Sequence, residues 1–263
     1  MDRLQKNHEL ELLDKAKNKF LSLITHELRT PLNTIIVTSE IISTKMYSTA
    51  QEHDELSKNL LLQSQNLLEL VNDILDLTKI HSGKMEFYIQ QGDPFALLET
   101  QKSLFFDFAK DRKVQIEIVQ PKEPLDCYFD DIHLKQIFSN LFSNAIKFNI
   151  PFGKVTVEGH DRGDFIEISF KDTGIGIAPD MLESIFNEFE TIERISHHHK
   201  GTGLGLSIAR SLAKGMGGEI LLKSTLTKGS TFSAILPRTQ VLSLDVYRHR
   251  CADSDVIFFN DES

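Results

Sequence analysis

Apolar and polar positions follow two different rhythms along this chain, and the change of rhythm divides it. From Met1 to about His81, leucine and isoleucine recur at helical spacing, with one proline, one tyrosine and no glycine in the stretch. This half is predicted helical. Its sharpest feature is a set of sevens: Leu21, Leu28, Ile35 and Ile42 first, then Leu60, Leu67 and Ile74 beside Leu61, Leu68 and Leu75. The polar stretch Lys45 to His53 separates them, so two antiparallel helices are expected, each with a broad apolar stripe. A two-helix hairpin cannot bury stripes that wide alone, whereas pairing with a second copy in a four-helix bundle can. A homodimer is therefore expected. Residues 1–19, with Leu13 and Ala16 leading to Phe20 near heptad spacing, read as a coiled-coil lead-in helix or, equally, as a plain extension of the first bundle helix.

After Ser82-Gly83, a plausible helix stop, aromatic and β-branched residues alternate with polar ones and glycines appear. Strands are predicted at Val114–Val119, Lys154–Glu158, Phe165–Asp172, Glu219–Lys223 and Thr231–Leu236. Helices are predicted near Pro94–Lys110, Ile132–Phe148, Pro179–Phe189 and Leu204–Met216. Strands grouped between long helices imply a sheet covered by helices on one face. The expected fold class is α plus α/β: a helical hairpin over 20–83 that forms a dimeric four-helix bundle, followed over 84–238 by an α/β sandwich. Residues 239–263 are too short for a domain; their end, Val256 to Ser263, reads as an apolar strand running into acidic residues.

Composition narrows the class without changing this picture. The 263 residues are 40% hydrophobic and 25% charged, which excludes disorder as the main state and suits one or two domains. No apolar run approaches the ~20 residues of a membrane span, and the first ten residues are too polar for a secretory signal. No membrane contact is expected within the chain. Cys127 and Cys251 form neither a CxxC pair nor a disulfide framework, which fits a reducing, cytoplasmic compartment. A net charge of -9 disfavours nucleic acid as a partner.

The first candidate chemistry lies on the first helix. Steps of four and seven residues place His26, Thr30 and Asn33 on a face away from the leucine stripe. Glu27 can hold one imidazole nitrogen and leave the other as a neutral nucleophile near pH 7. Pro31 removes the N–H that would have bonded the Glu27 carbonyl, so a bend is expected just beyond the histidine. The segment Phe20 to Asn33, FLSLITHELRTPLN, resembles the phosphoacceptor box of two-component sensor histidine kinases, whose dimerisation domain is a homodimeric helical hairpin. The resemblance implies that His26 is phosphorylated, that Glu27 is its acid/base partner, and that Thr30 helps to position water for dephosphorylating a response regulator.

Three further segments read together. Asp172-Thr173-Gly174-Ile175-Gly176-Ile177 closes a strand with an acidic acceptor followed by glycines. Gly201-Thr202-Gly203-Leu204-Gly205-Leu206 opens a predicted helix, where free N–H groups favour phosphate. Asn140, Asn144 and Lys147 share one helical face, where amide oxygens can meet Mg²⁺ and lysine can meet phosphate. Their order and spacing resemble the Bergerat-type ATP-binding domain shared by histidine kinases, type II topoisomerases, mismatch-repair ATPases and heat-shock chaperone ATPases. That resemblance implies ATP and Mg²⁺ as ligands. Asn144 would ligate the metal, Asn140 and Lys147 would lie near the phosphates, and Phe148 would stand against the base. Asp172 would accept from the adenine amine, and Gly174 and Gly176 would line its pocket. Gly201, Gly203 and Gly205, with Thr202 and Leu204 between them, would form the phosphate loop of a lid that Lys200 flanks. Phe186 and Phe189 match a phenylalanine box near that lid.

The resembling ATPases carry a glutamate as water-activating base four residues before the magnesium asparagine; here Asn140 stands there. Without that base, water is a poor nucleophile and an imidazole is the expected acceptor. The implied reaction moves the γ-phosphoryl group of ATP to His26 and then to an aspartate of a response-regulator receiver domain, with phosphatase activity toward that regulator. An ATP-binding pseudokinase or scaffold acting without chemistry is the alternative. His197-His198-His199 reads as a polar part of the lid rather than a metal site. Asn149 stands where such kinases commonly carry Thr or Ser, a mild change. The tail FFNDES looks like the opening of a receiver domain or, equally, like a strand docking back on the sandwich.

Overall fold

The computed structural model describes residues 2–189 and 202–239, with residues 2–20 described as backbone apart from Asn18. The chain divides into two compact units, one ending at Lys79 and the other beginning at Ile80.

The first unit is a hairpin of α1 (Asp2–Ser43) and α2 (Ala50–His81). The connection is shorter than the polar stretch in the sequence suggested, because α2 starts at Ala50 from a local cap. The Glu52 amide donates to Thr49 Oγ1 at 3.1 Å, and the Glu52 carboxylate takes the Ser48 amide at 2.6 Å. The helix α1 runs on through Pro31 to Ser43, so the proline does not end it. The sevens split in the way a two-sided stripe must. Leu28, Ile35, Ile42, Leu60, Leu67 and Ile74 are half-buried, whereas Leu61, Leu68 and Leu75 stand 60%, 61% and 52% exposed; outside the sevens, Leu70 and Leu77 are buried. On α1 Leu21, Leu32, Ile36 and Val37 are likewise exposed. Each helix thus has one apolar row turned inward and another left bare.

The second unit contains β1 (Gln90–Gly92), α3 (Pro94–Asp111), β2 (Gln115–Val119), β3 (Cys127–Phe129) and α4 (Asp131–Lys147). It continues with β4 (Lys154–Asp161), β5 (Phe165–Asp172), α5 (Gly205–Gly215), β6 (Glu219–Thr225) and β7 (Gly229–Pro237). Five strands form one sheet in the order β2-β4-β5-β7-β6, antiparallel except for the parallel pair β2 and β4. A separate antiparallel pair joins β1 to β3. Asp93 caps α3 by accepting the Phe95 amide at 2.9 Å, with Pro94 in the first helical position where its missing N–H costs nothing. Asp130 caps α4 in the same way, accepting from Ile132 and His133.

The inner face of the sheet meets α4. Leu134, Ile137, Phe138, Leu141, Phe142, Ala145 and Ile146 repeat at helical spacing and are buried. Phe170 of β5 lies edge-on to Phe142 at 5.0 Å between ring centroids and 5.6 Å from Phe138. This packing fixes the polar face of α4 relative to the end of β5.

One expectation needs correction, and two short strands add to the predicted elements. Pro179 to Phe189 is not a helix but two single 3-10 turns, Pro179–Met181 and Ser184–Phe186, because the chain turns extended at Asn187 before a second helical turn can form. The strands β1 and β3 went unpredicted, since three residues are too few to show an alternation. No helix among the described residues is long and apolar enough to cross a membrane.

Candidate active site

On α1 the His26 side chain is 65% exposed, and its Nδ1 lies 3.1 Å from Glu27 Oε1. With the proton on Nδ1 donated to that carboxylate, Nε2 presents its lone pair outward. Thr30 lies one turn on, its hydroxyl donating to the His26 carbonyl at 3.3 Å. Thr30 and Asn33 are exposed with the histidine.

The second unit gathers the other candidates around the C-terminal half of α4. Asn140, Asn144 and Lys147 sit half-buried in a row while their neighbours Leu141, Phe142, Ala145 and Ile146 face the sheet. Asn140 Nδ2 is buried with no hydrogen-bond partner among the described residues. Its Oδ1 meets the start of α5, where a Cβ on Gly205 would stand 2.9 Å away. Lys147 Nζ lies 5.6 Å from the centre of the Phe148 ring.

Asp172 ends β5 on the helix-facing side, in register with Val155, and is 7% exposed. Burial pushes its carboxyl up to about 6, although Oδ1 accepts hydrogen bonds from the amides of Gly174 (2.7 Å) and Ser230 (3.2 Å). Gly174 and Gly176 follow in the turn, and the Ile175 amide donates to the Phe148 carbonyl at 3.2 Å, bringing the end of α4 against this turn. Gly176 has φ +66°, and a Cβ there would overlap the Thr225 carbonyl, so only glycine lets the hairpin of β6 and β7 close over the turn.

Around the start of α5, the Phe189 amide donates to the Gly203 carbonyl at 2.9 Å and the Leu204 amide to Thr202 Oγ1 at 3.2 Å. Leu204 is buried, as is Phe186, which carries the Arg210 guanidinium over its ring at 5.3 Å. Lys200, Gly201, His197-His198-His199 and the tail beyond Thr239 lie outside the described residues.

A phosphate-bearing ligand and a hard cation suit this donor set. No group of three metal-ligating His, Cys, Asp or Glu side chains occurs among the described residues. The Asn144 amide offers a hard oxygen donor beside Asn140 and Lys147. That fits Mg²⁺, which is held by one or two protein oxygens together with substrate phosphates and water.

Comparison with known proteins decides the family. Residues 16–83 match the His Kinase A (phospho-acceptor) domain, and residues 129–240 match the histidine kinase-, DNA gyrase B- and HSP90-like ATPase domain. The chain belongs to the sensor histidine kinases. Histidine protein kinase DivJ of Caulobacter vibrioides is 36% identical over 230 residues, covering 87% of this chain and 38% of its own length. The autoinducer 2 sensor kinase/phosphatase LuxQ of Vibrio vulnificus is 34% identical over 240 residues, covering 87% and 27%. Among solved structures, full-length ShkA in complex with AMPPNP matches with a TM-score of 0.61 and 27% identity, over 85% of this chain and 47% of that one. The kinase chain described here therefore spans well under half of the length of DivJ or LuxQ.

Within this histidine kinase, the structure also shows links that pattern reading passed over. The Ser230 backbone amide reaches Asp172 across 58 positions of sequence. Asn149 and Thr173 are bonded to each other at 3.1 Å between α4 and the end of β5, a pairing that no local spacing announces.

Proposed function

We propose that this chain is the phosphotransfer core of its parent kinase: it transfers the γ-phosphoryl group of ATP to His26 and from there to an aspartate of a response-regulator receiver domain. The observation that carries this reading is the exposed His26 imidazole with Nδ1 held by Glu27, in one chain with an ATP-binding domain whose polar face is built from Asn140, Asn144 and Asp172. The relatives match across both halves, which favours chemistry over the scaffold alternative.

In the proposed step His26 Nε2 attacks the γ-phosphorus, an N–P bond forms, and the bond to the β–γ bridging oxygen breaks with release of ADP. The imidazole gains positive charge as this happens, and the Nδ1 proton moves toward Glu27 Oε1, so the carboxylate stabilises the charge where it develops. Asp172 accepts from the adenine amine, Phe148 stacks on the base, and Asn140 and Lys147 bind phosphate oxygens, as does the Thr202–Gly205 segment; Lys200 and Gly201, assigned the same role, lie outside the described residues. Asn144 would hold Mg²⁺, which when bound would neutralise phosphate charge. Docking of the nucleotide domain on the helical hairpin supplies the proximity of donor and acceptor.

Thr30, one turn beyond the histidine on the same exposed face, is assigned the orientation of water in dephosphorylating the regulator; LuxQ is named as both kinase and phosphatase. The bare row Leu61, Leu68 and Leu75 supports a homodimer through a four-helix bundle. We assign the chain to the cytoplasm, since it uses ATP as phosphoryl donor. We divide it functionally into a lead-in helix over 1–19, the phosphotransfer hairpin over 20–83, the ATP-binding domain over 84–238 and a tail over 239–263.

The test is incubation with γ-labelled ATP and Mg²⁺, with the bound label examined for the acid lability and base stability of phosphohistidine. Label present on the wild type and absent from His26→Gln, which still binds nucleotide, is the expected result. Label of that type persisting in His26→Gln overturns the assigned acceptor.

A further inference from the structure

Asn149 follows the last turn of α4 and makes more hydrogen bonds than a helix end requires. Its Nδ2 donates to the Ala145 carbonyl at 3.0 Å and to the Lys154 carbonyl at the start of β4 at 3.2 Å. Its Oδ1 accepts from the Ile150 amide at 3.0 Å and from the Thr173 hydroxyl at 3.1 Å. Thr173 is itself paired in both directions with Lys154: Oγ1 accepts the Lys154 amide at 2.9 Å, and the Thr173 amide donates to the Lys154 carbonyl at 3.1 Å. One side-chain amide thus joins the end of α4, the start of β4 and the turn that follows β5. Phe148 directly precedes Asn149, and Asp172 directly precedes Thr173.

We infer that Asn149 is a positioning residue for the nucleotide base, setting the separation between Phe148, which faces the ring, and Asp172, which takes its amine. The inference rests on the proposed roles of those two residues and adds what holds them apart. A primary amide has two donor hydrogens and an acceptor oxygen, and all of them are used here. The hydroxyl of a serine or threonine at this position has a single hydrogen and can donate to only one of the two carbonyls. A hydroxyl must therefore give up either the bond back into α4 at Ala145 or the link to β4 at Lys154, whereas the amide makes both.

The experiment compares ATP with purine riboside triphosphate, which lacks the exocyclic amine, as phosphoryl donors for the full chain. The variants are Asn149→Ala, Asn149→Thr and Asp172→Asn. Asn149→Ala is expected to raise the KM for ATP about tenfold and that for the amine-free analogue much less, with kcat at saturating ATP within about twofold of wild type. Asn149→Thr recovers part of the lost discrimination. Wild-type discrimination in Asn149→Ala, or equal losses with both donors accompanied by a fall in kcat, overturns the inference by reducing Asn149 to a stabilising helix end. If Asn149→Ala does not fold, Asn149→Thr decides alone: discrimination below wild type supports the inference, and unchanged discrimination overturns it. Loss of discrimination in Asp172→Asn alone shows that only the inference fails; unchanged discrimination in Asp172→Asn removes the base-recognition reading and the inference with it.

Discussion

The Gly174 amide donates to Asp172 Oδ1 at 2.7 Å, and this bond decides which side of the carboxylate is left for a ligand. Oδ1 also takes the Ser230 amide, while Oδ2 makes no hydrogen bond to another described residue. The turn therefore leaves Oδ2 as the carboxylate oxygen available for the proposed bond to the adenine amine. The cost of that arrangement is a buried charge.

Because burial raises the Asp172 carboxyl to about 6 from an ordinary value near 3.8, the native domain binds that proton more tightly than the unfolded chain does. The sign follows: stability contributed by this group is present below pH 4 and is lost as pH rises through about 6. Asp172→Asn is expected to raise the melting temperature at pH 7.5 by an amount equivalent to roughly 2–3 kcal/mol, with the gap narrowing to about half at pH 5 and closing only below pH 4. Nucleotide affinity should move the other way. Because Oδ1 is held by the Gly174 and Ser230 amides, protonation or amidation puts a donor where the free carboxylate oxygen would accept from the amine, so the Kd for ATP should rise as pH falls through about 6, and Asp172→Asn should bind ATP weakly at every pH. Calorimetry of unfolding and of ADP binding over pH 5–8 checks both.

Gly205 and Gly176 should respond differently to alanine. A Cβ at Gly205 meets only the end of the Asn140 side chain, which can move, so Gly205→Ala should fold normally and lose about tenfold in kcat/KM through a displaced amide. A Cβ at Gly176 meets the backbone of Thr225 at a positive φ, so Gly176→Ala should destabilise the domain by about 2–4 kcal/mol. Melting curves and steady-state labelling separate the two.

Glu27→Gln keeps the size of the side chain and removes the charge beside Nδ1. Autophosphorylation should slow by about a hundredfold, with the KM for ATP unchanged, because the carboxylate acts on charge formed during transfer rather than on nucleotide binding. Single-turnover labelling at saturating ATP is the measurement.

Leu68→Lys puts a charge in the middle of the bare α2 row. It is introduced twice per dimer, and losing each buried leucine costs about 1.5–3 kcal/mol, so dissociation should increase by at least about a hundredfold. Sedimentation analysis over micromolar concentrations should show monomer for the variant and dimer for the wild type.

What could be read from the sequence depended on how local its cause was. The edges of β5 match the predicted Phe165–Asp172 because its alternation and terminal aspartate lie within eight residues. The polar row of α4 was legible because a helix brings positions four and seven apart to one face whatever surrounds it. Pro179 to Phe189 misled because its apolar residues sit at helical spacing in a segment that makes only isolated turns. Ser230 and the Asn149–Thr173 link depend on pairing between distant strands and on the junction of α4 with the sheet, and no spacing rule contains either.

The bond between Ser230 and Asp172 also sets an order of events. The base pocket proposed at Asp172 is completed by a strand that begins 57 positions after the aspartate, at Gly229, whereas α1 and α2 with His26 are finished by His81. Domains fold as their residues leave the ribosome, N-terminal first. A nascent chain therefore displays its histidine, and can meet a second copy through α2, well before it can hold a nucleotide.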